Sequence, residues 1–161
     1  MHRPIARRRL LQGVLGITGT TLLGCRSGGG PGSAYPQPEV YEDPSDFSGP
    51  WRGEVEGVSG KLRIDQLGGG RYYANFRGAD RPVRYILSLN QTRADMGGGA
   101  LALANVCEFT WQDGRGAVGA GWLLINRENS TLTGTFGRGG SMSGMGVWTF
   151  VRGGRGRARA R

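Results

Sequence analysis

Between residues 47 and 152 the chain alternates between apolar and polar positions with a period of two. The even positions of 61–65 are apolar, as are the odd positions of 83–89. This period predicts strands that bury one face. No window of helical length shows a 3.6-residue period, although Leu and Ala in 100–106 also favour a helix. The pattern predicts strands over eight runs: 51–56, 61–67, 72–77, 83–89, 101–111, 117–126, 131–136 and 147–152.

Glycine-rich turns separate these runs, at 68–70, 97–99, 113–114 and 137–140. Glycine readily adopts the positive φ that tight hairpins need. Short strands joined by such turns predict an all-β domain, either a small antiparallel up-and-down β-barrel of about eight strands or a β-sandwich. The barrel is favoured because a closed sheet has no edge strands to protect. The stretch 114–119 matches GxGxxG, but a strand follows it, so a hairpin is expected instead of a dinucleotide site.

The chain divides into four parts by composition. Residues 1–24 join a basic start to a short apolar stretch, which is typical of a signal peptide. Residues 25–46 are rich in Gly, Pro and acids, which predicts a flexible tether. The barrel is expected over 47–152, and a disordered Arg/Gly tail over 153–161.

The apolar stretch ends in Leu22-Leu23-Gly24-Cys25. This sequence resembles the bacterial lipobox, which signal peptidase II cuts before a cysteine that carries a diacylglyceryl group. The resemblance implies that Leu22, Leu23 and Gly24 are recognised by the peptidase and that Cys25 is lipidated. It also implies an envelope protein that is anchored to a membrane, on a periplasmic or extracellular face.

Arg7 and Arg8, followed by the apolar pair Leu10 and Leu11, resemble a twin-arginine export motif. Ala6 replaces the usual Ser or Thr, and Gln12 replaces a frequent Lys. The choice between twin-arginine and general secretion therefore stays open. Further along the chain, 49–53, 132–136 and 144–150 loosely resemble strands of small calycin-like or avidin-like barrels in bacterial lipoproteins. This second resemblance implies an architecture and no particular ligand.

The net charge of +9 comes from the two ends of the chain. Residues 1–24 hold four arginines and residues 152–161 hold five, whereas the region between them is balanced. The tail resembles an RGG segment, and such segments bind polyanions. This predicts, as an alternative function, a binder of polyanions or anionic surfaces. Nucleic acid is an improbable partner outside the cytoplasm. The tail residues concerned are Arg152, Arg155, Arg157, Arg159 and Arg161.

Residues for catalysis are scarce. The single histidine, His2, lies in the segment that export would remove, which excludes Ser-His-Asp catalysis and His-containing zinc sites from the mature chain. Cys107 would be the sole free thiol in an apolar run, as expected of a small buried residue. The sequence therefore predicts no enzyme, no cofactor and no metal. A weak carboxylate-based hydrolase, using Glu54, Glu56 or Asp65, is the remaining enzymatic alternative.

Aromatic residues recur in the predicted strands. They can line a ligand cavity or fill the core, since a barrel of about eight strands has room for side chains or one small ligand. The leading hypothesis is a lipid-anchored, non-enzymatic envelope protein, whose barrel binds a small ligand or a protein partner. The residues expected to line a cavity are Trp51, Tyr85, Trp111, Trp122 and Trp148.

Overall fold

The computed structural model describes residues 34–153, and within this range the chain forms a closed antiparallel β-barrel. Each strand pairs with its neighbours in sequence, and the first strand pairs with the last. The barrel prediction is confirmed, and the sandwich alternative is wrong because the sheet closes on itself. The strands, each matching one predicted run, are β1 Gly49–Val55, β2 Val58–Gly68, β3 Arg71–Gly78, β4 Arg84–Asp95, β5 Leu101–Asp113, β6 Val118–Ile125, β7 Thr131–Arg138 and β8 Gly146–Arg152.

The alternating pattern places one face of each strand inside the barrel. Leu62 and Ile64 of β2 are buried, for example, whereas Lys61 and Arg63 beside them are exposed. The hairpins β1–β2, β3–β4, β5–β6 and β7–β8 lie at one end of the barrel, which we call the open end. We call the other the strap end. No helix among residues 34–153 is long and apolar enough to cross a membrane.

Several inward-facing glycines lie opposite aromatic residues of the neighbouring strand. Gly121 of β6 pairs with Phe109 of β5, and Gly119 pairs with Trp111. A Cβ atom at Gly121 would lie 2.4 Å from the Phe109 ring, and one at Gly119 would lie 2.5 Å from the Trp111 indole. The missing side chains therefore leave the space that these rings occupy, as aromatic residues often do beside strand glycines.

Residues 34–48, which we call the strap, pack against the barrel. The flexible tether predicted for 25–46 must be corrected for this part. The backbone N–H of Glu39 donates to Asn105 Oδ1 (2.7 Å), and the Asn105 N–H donates to the Glu39 carbonyl (2.8 Å). Asn105 also donates from Nδ2 to the Tyr41 hydroxyl (2.6 Å). These bonds satisfy a buried amide, so they fix the strap on β5.

The strap then closes one end of the barrel. Phe47 is fully buried in the core, 5.9 Å from the ring of Tyr72. Gln91 is buried too, and its Nε2 donates to the carbonyls of Ser45 (3.1 Å) and Ala104 (2.7 Å). The burial of Phe47 and the hydrogen bonds of the Gln91 amide together hold the strap, although its Gly, Pro and acid content is typical of a loop.

Candidate functional site

The barrel interior is filled by aromatic side chains. Trp148 is fully buried, and its ring lies 5.3 Å from that of Phe109 and 5.4 Å from that of Phe136. Offset and edge-on contacts at such distances are favourable between aromatic rings. Three further rings surround Trp148 at 5.8–5.9 Å, those of Phe76, Tyr85 and Phe150.

The structure brings together four of the five aromatic residues that were expected to line a cavity. Trp51, Tyr85, Trp111 and Trp148 belong to the packed core. Trp122 lies on the outer face of β6, where Tyr35 of the strap covers it with a ring-to-ring distance of 6.5 Å. Because four side chains pack the interior and the fifth lies outside it, the five do not line one cavity.

The indole N–H groups of the core differ in their partners. Trp51 donates to the carbonyl of Phe47 and Trp111 to that of Gly137, each at 2.9 Å. Trp148 Nε1 is buried and has no hydrogen-bond partner among the described residues. A buried donor without a partner costs free energy, which the packing of the Trp148 ring must offset.

Arg152 has a structural role, which corrects its assignment to the polyanion-binding tail. Its guanidinium donates to the carbonyls of Ser48 (2.7 Å), Asp46 and Asn129. It also lies over the Trp51 ring, 4.2 Å from the ring centre. These bonds tie the end of β8 to the strap and use the donors that an external anion would need.

The remaining tail and N-terminal predictions lie outside the described residues. They concern Arg155, Arg157, Arg159 and Arg161 of the tail, Cys25 with Leu22, Leu23 and Gly24, and the export residues Arg7, Arg8, Leu10 and Leu11.

Two adjoining recesses lie on the outer face of the barrel. The larger one, of about 820 Å³, crosses β8, β1 and β2 and combines charged residues with the exposed Val147 and Val151. The second one, of about 600 Å³, lies on β2 and β3 and includes Tyr73. Lys61 lines both recesses. Together they form an amphipathic surface, which we call the outer groove.

The candidate carboxylates do not converge on one point. Glu54 and Glu56 line the larger recess, whereas Asp65 lines the smaller one. Asp65 is also engaged by Arg63, whose Nε lies 3.0 Å from Asp65 Oδ1. Glu54 is exposed on the outer face of β1. The three residues therefore do not form a single carboxylate site.

A row of four cations begins in the outer groove and ends on β4, beside a recess at the open end. Arg52 of β1 is directly opposite Lys61 of β2, Lys61 is opposite Arg77 of β3, and Arg77 is opposite Arg84 of β4. All four side chains are exposed, and none forms an ion pair within residues 34–153. We call this set the cation row. The row was not predicted from the sequence, because the balance of charges over residues 25–151 does not show which charges lie side by side in the sheet. Arg52 and Lys61 are equidistant from their hairpin turn, as are Arg77 and Arg84, and this signal could have found these two pairs. The pairing of Lys61 with Arg77 also depends on a register shift in β2.

The open end carries a smaller recess of about 470 Å³ beside Tyr85. Burial raises the pKa of Tyr85, and the nearby carboxylates of Glu56 and Asp113 raise it further. Backbone N–H groups of Arg115 and Ala117 lower the pKa of Asp113, so this carboxylate is committed to its own turn. The open end thus has the protonated hydroxyl of Tyr85 and the carboxylate of Asp113, which is bonded within the β5–β6 hairpin.

Cys107 is fully buried in the core, and burial raises the pKa of its thiol well above the usual value. A thiol in such surroundings is a poor nucleophile. Residues 34–153 contain no group of three or more His, Cys, Asp or Glu side chains arranged to hold a metal ion.

Comparisons of the chain with family models, curated proteins and solved structures find no match.

Proposed function

We propose that this chain is a lipid-anchored, non-enzymatic binding protein of the cell envelope, and that it binds its partner on the outside of the barrel. The observation that carries the proposal is the contrast between the two faces of the sheet. Aromatic rings pack the interior, while the outer face of β8, β1, β2 and β3 bears the outer groove. A binding site needs accessible concave surface, and the outer groove supplies it.

The chemistry of the outer groove supports binding rather than catalysis. Its polar groups are exposed charges, and its apolar part comes from Val147 and Val151 of β8. Catalytic groups are commonly held in buried, desolvated surroundings that perturb their proton affinity. Glu54 and Asp65 lie instead on the solvent side of the sheet.

The proposed anchor and the strap together limit how far the barrel lies from a membrane. The strap begins at residue 34, about nine residues after Cys25. A chain of this length spans at most about 30 Å when fully extended. Two acyl chains on Cys25 would give stable attachment, since each buried CH₂ contributes about 0.8 kcal/mol. The barrel would then act close to the bilayer.

The anchor is tested by expressing the full chain and its Cys25→Ser variant in a bacterium with lipoprotein processing. We expect the wild type in the membrane fraction, with an intact mass that begins at a diacylated Cys25. The variant is the matched control, and we expect it to lack the lipid mass. A wild-type chain that remains in the soluble fraction and retains residues 1–24 would contradict the proposal.

Binding on the outer face is tested by placing a photo-crosslinking amino acid at one of two exposed threonines. Thr149 of β8 lies in the outer groove, and Thr133 of β7 is its cross-strand neighbour outside the groove. Crosslinks to envelope components should form from Thr149 and be several-fold weaker from Thr133. Equal crosslinking from both positions would refute a groove-specific contact.

A further inference from the structure

The cation row is unfavourable unless it meets an anion. Neighbouring strands lie about 4.8 Å apart, so four cations in register extend over about 14 Å. Like charges directly opposite one another across strands repel and destabilise the sheet. The carboxylates nearby relieve little of this repulsion. Glu54 is opposite Ser59 and therefore only diagonal to Lys61, and Asp65 is paired with Arg63.

Four of the twelve acidic residues lie away from the row. Glu39, Glu42, Asp43 and Asp46 all belong to the strap, which packs on β5 and the strap end. The strands β1–β4 carry seven exposed basic side chains and three exposed acidic ones (Glu54, Asp65 and Asp95), so their outer face presents a local positive charge. Such a separation attracts anions to one face of the molecule.

We propose that the cation row binds a linear polyanion rich in phosphate groups, which lies across β1–β4. This assignment rests on the proposed outer-face binding and names its ligand class. Three of the four cations are arginines, whose planar guanidinium pairs with two phosphate oxygens at once. The amphipathic recesses at Arg52 and Arg77 accommodate the parts of the polymer between its phosphates.

The shape and position of the row favour a flexible polymer over a flat membrane. The row follows the curved outside of the barrel over four consecutive strands. A flexible chain follows this curve, whereas a flat bilayer meets only part of it. The strap moreover begins on β5 and β6, where Tyr35 contacts Glu108 and Trp122. In the closed order of strands these lie across the barrel from β1 and β2.

The test measures the affinity of the full chain for long-chain inorganic polyphosphate as a function of salt. Three variants each replace four arginines or lysines by glutamine, so their net charges are equal. The row variant changes Arg52, Lys61, Arg77 and Arg84. The scattered control changes four other exposed residues, Arg71, Arg93, Arg115 and Arg138. The tail control changes Arg155, Arg157, Arg159 and Arg161.

We expect the row variant to lose affinity about 100-fold or more at 0.1 M salt. Four lost phosphate contacts should also reduce the slope of log K against log salt by about 3, at about 0.7 per contact. The two controls should stay within a few-fold of the wild type. The single variants Lys61→Gln and Arg77→Gln, each expected to reduce the slope by about 0.7, keep the test valid if the fourfold row variant does not fold.

Several outcomes would overturn the assignment. Loss of binding in the tail variant alone would place the polyanion site on the tail, and equal losses in all three variants would show a non-specific charge effect. Tighter row-dependent binding to vesicles of anionic phospholipid would make a membrane the occupant. If the wild type does not bind polyphosphate, the ligand class is wrong. Outer-face binding is judged separately, by crosslinking from Thr149 and Thr133.

Discussion

At the scale of single residues, Trp148 lies at the centre of the barrel interior. Its ring contacts five aromatic neighbours, and its indole N–H has no acceptor among the described residues. Trp111 contacts two of the same rings, those of Tyr85 and Phe136, but its N–H is bonded to Gly137. The two tryptophans thus share an environment and differ in one hydrogen bond.

Replacing each of these tryptophans by phenylalanine should separate packing from hydrogen bonding. Both changes remove a similar ring volume from the core. Trp111→Phe also leaves the Gly137 carbonyl without its donor, whereas Trp148→Phe removes an unsatisfied donor. We expect Trp111→Phe to lower the free energy of unfolding by about 1–3 kcal/mol more than Trp148→Phe does, as measured by chemical denaturation. A larger loss at Trp148 would mean that its N–H has a partner.

Tyr72 provides a test at alkaline pH. Burial raises its pKa from 10.0 to about 12, and its hydroxyl donates to Gln91 Oε1 (2.8 Å). Below pH 10 the hydroxyl is protonated in both the folded and the unfolded states, so the stabilisation is fully present. Between about pH 10 and 12 only the unfolded state ionises. Stability should therefore fall by about 1.4 kcal/mol per pH unit from this residue.

The control for this pH dependence is Tyr72→Phe, which cannot ionise. Denaturation at pH 9, 10, 11 and 12 should show a shallower alkaline decline for the variant than for the wild type, because Tyr35 and Tyr85 still contribute to it. Parallel declines in the two proteins would show that Tyr72 ionises equally well when folded.

At the scale of elements, the eight strands follow from local pattern and the strap does not. Alternation and glycine turns locate each strand because both depend on near neighbours in sequence. The strap depends on partners 46 to 106 residues away, among them Gln91, Asn105 and Arg152. Its composition resembles a tether, so no local signal reveals that it packs. The cation row was equally hidden, because it requires the register of four strands.

Arg152 should control how firmly the strap is held. Arg152→Met keeps an apolar stem but leaves the carbonyls of Asp46, Ser48 and Asn129 without their donor. We expect a loss of about 1–3 kcal/mol in the free energy of unfolding, together with hydrogen exchange at least about 10-fold faster in residues 45–48. The exposed Arg71→Met of β3 is the matched control. Unchanged exchange in the strap would contradict this role.

At the scale of the whole molecule, different faces of the barrel carry different groups. The interior stabilises the fold through aromatic packing. The strap packs on β5 and leads toward the proposed anchor, whereas β1–β4 carry the cation row. Sequence reasoning predicted the closed barrel and left open whether it was filled. Whether the interior is filled depends on which glycines lie opposite which aromatic rings, as Gly121 lies opposite Phe109. Predicting these pairs requires the register of the strands.

Binding on the outside of the barrel is tested most directly by NMR, in a titration of the isotopically labelled full chain with polyphosphate. Backbone amides report on the sheet, and the indole N–H signals of Trp51, Trp111 and Trp148 report on the interior. We predict that shifts concentrate at and around Arg52, Lys61, Arg77 and Arg84, while the three indole signals stay in place. Shifts that centre on the indoles, or that are confined to residues 154–161, would contradict binding on the outside of the barrel.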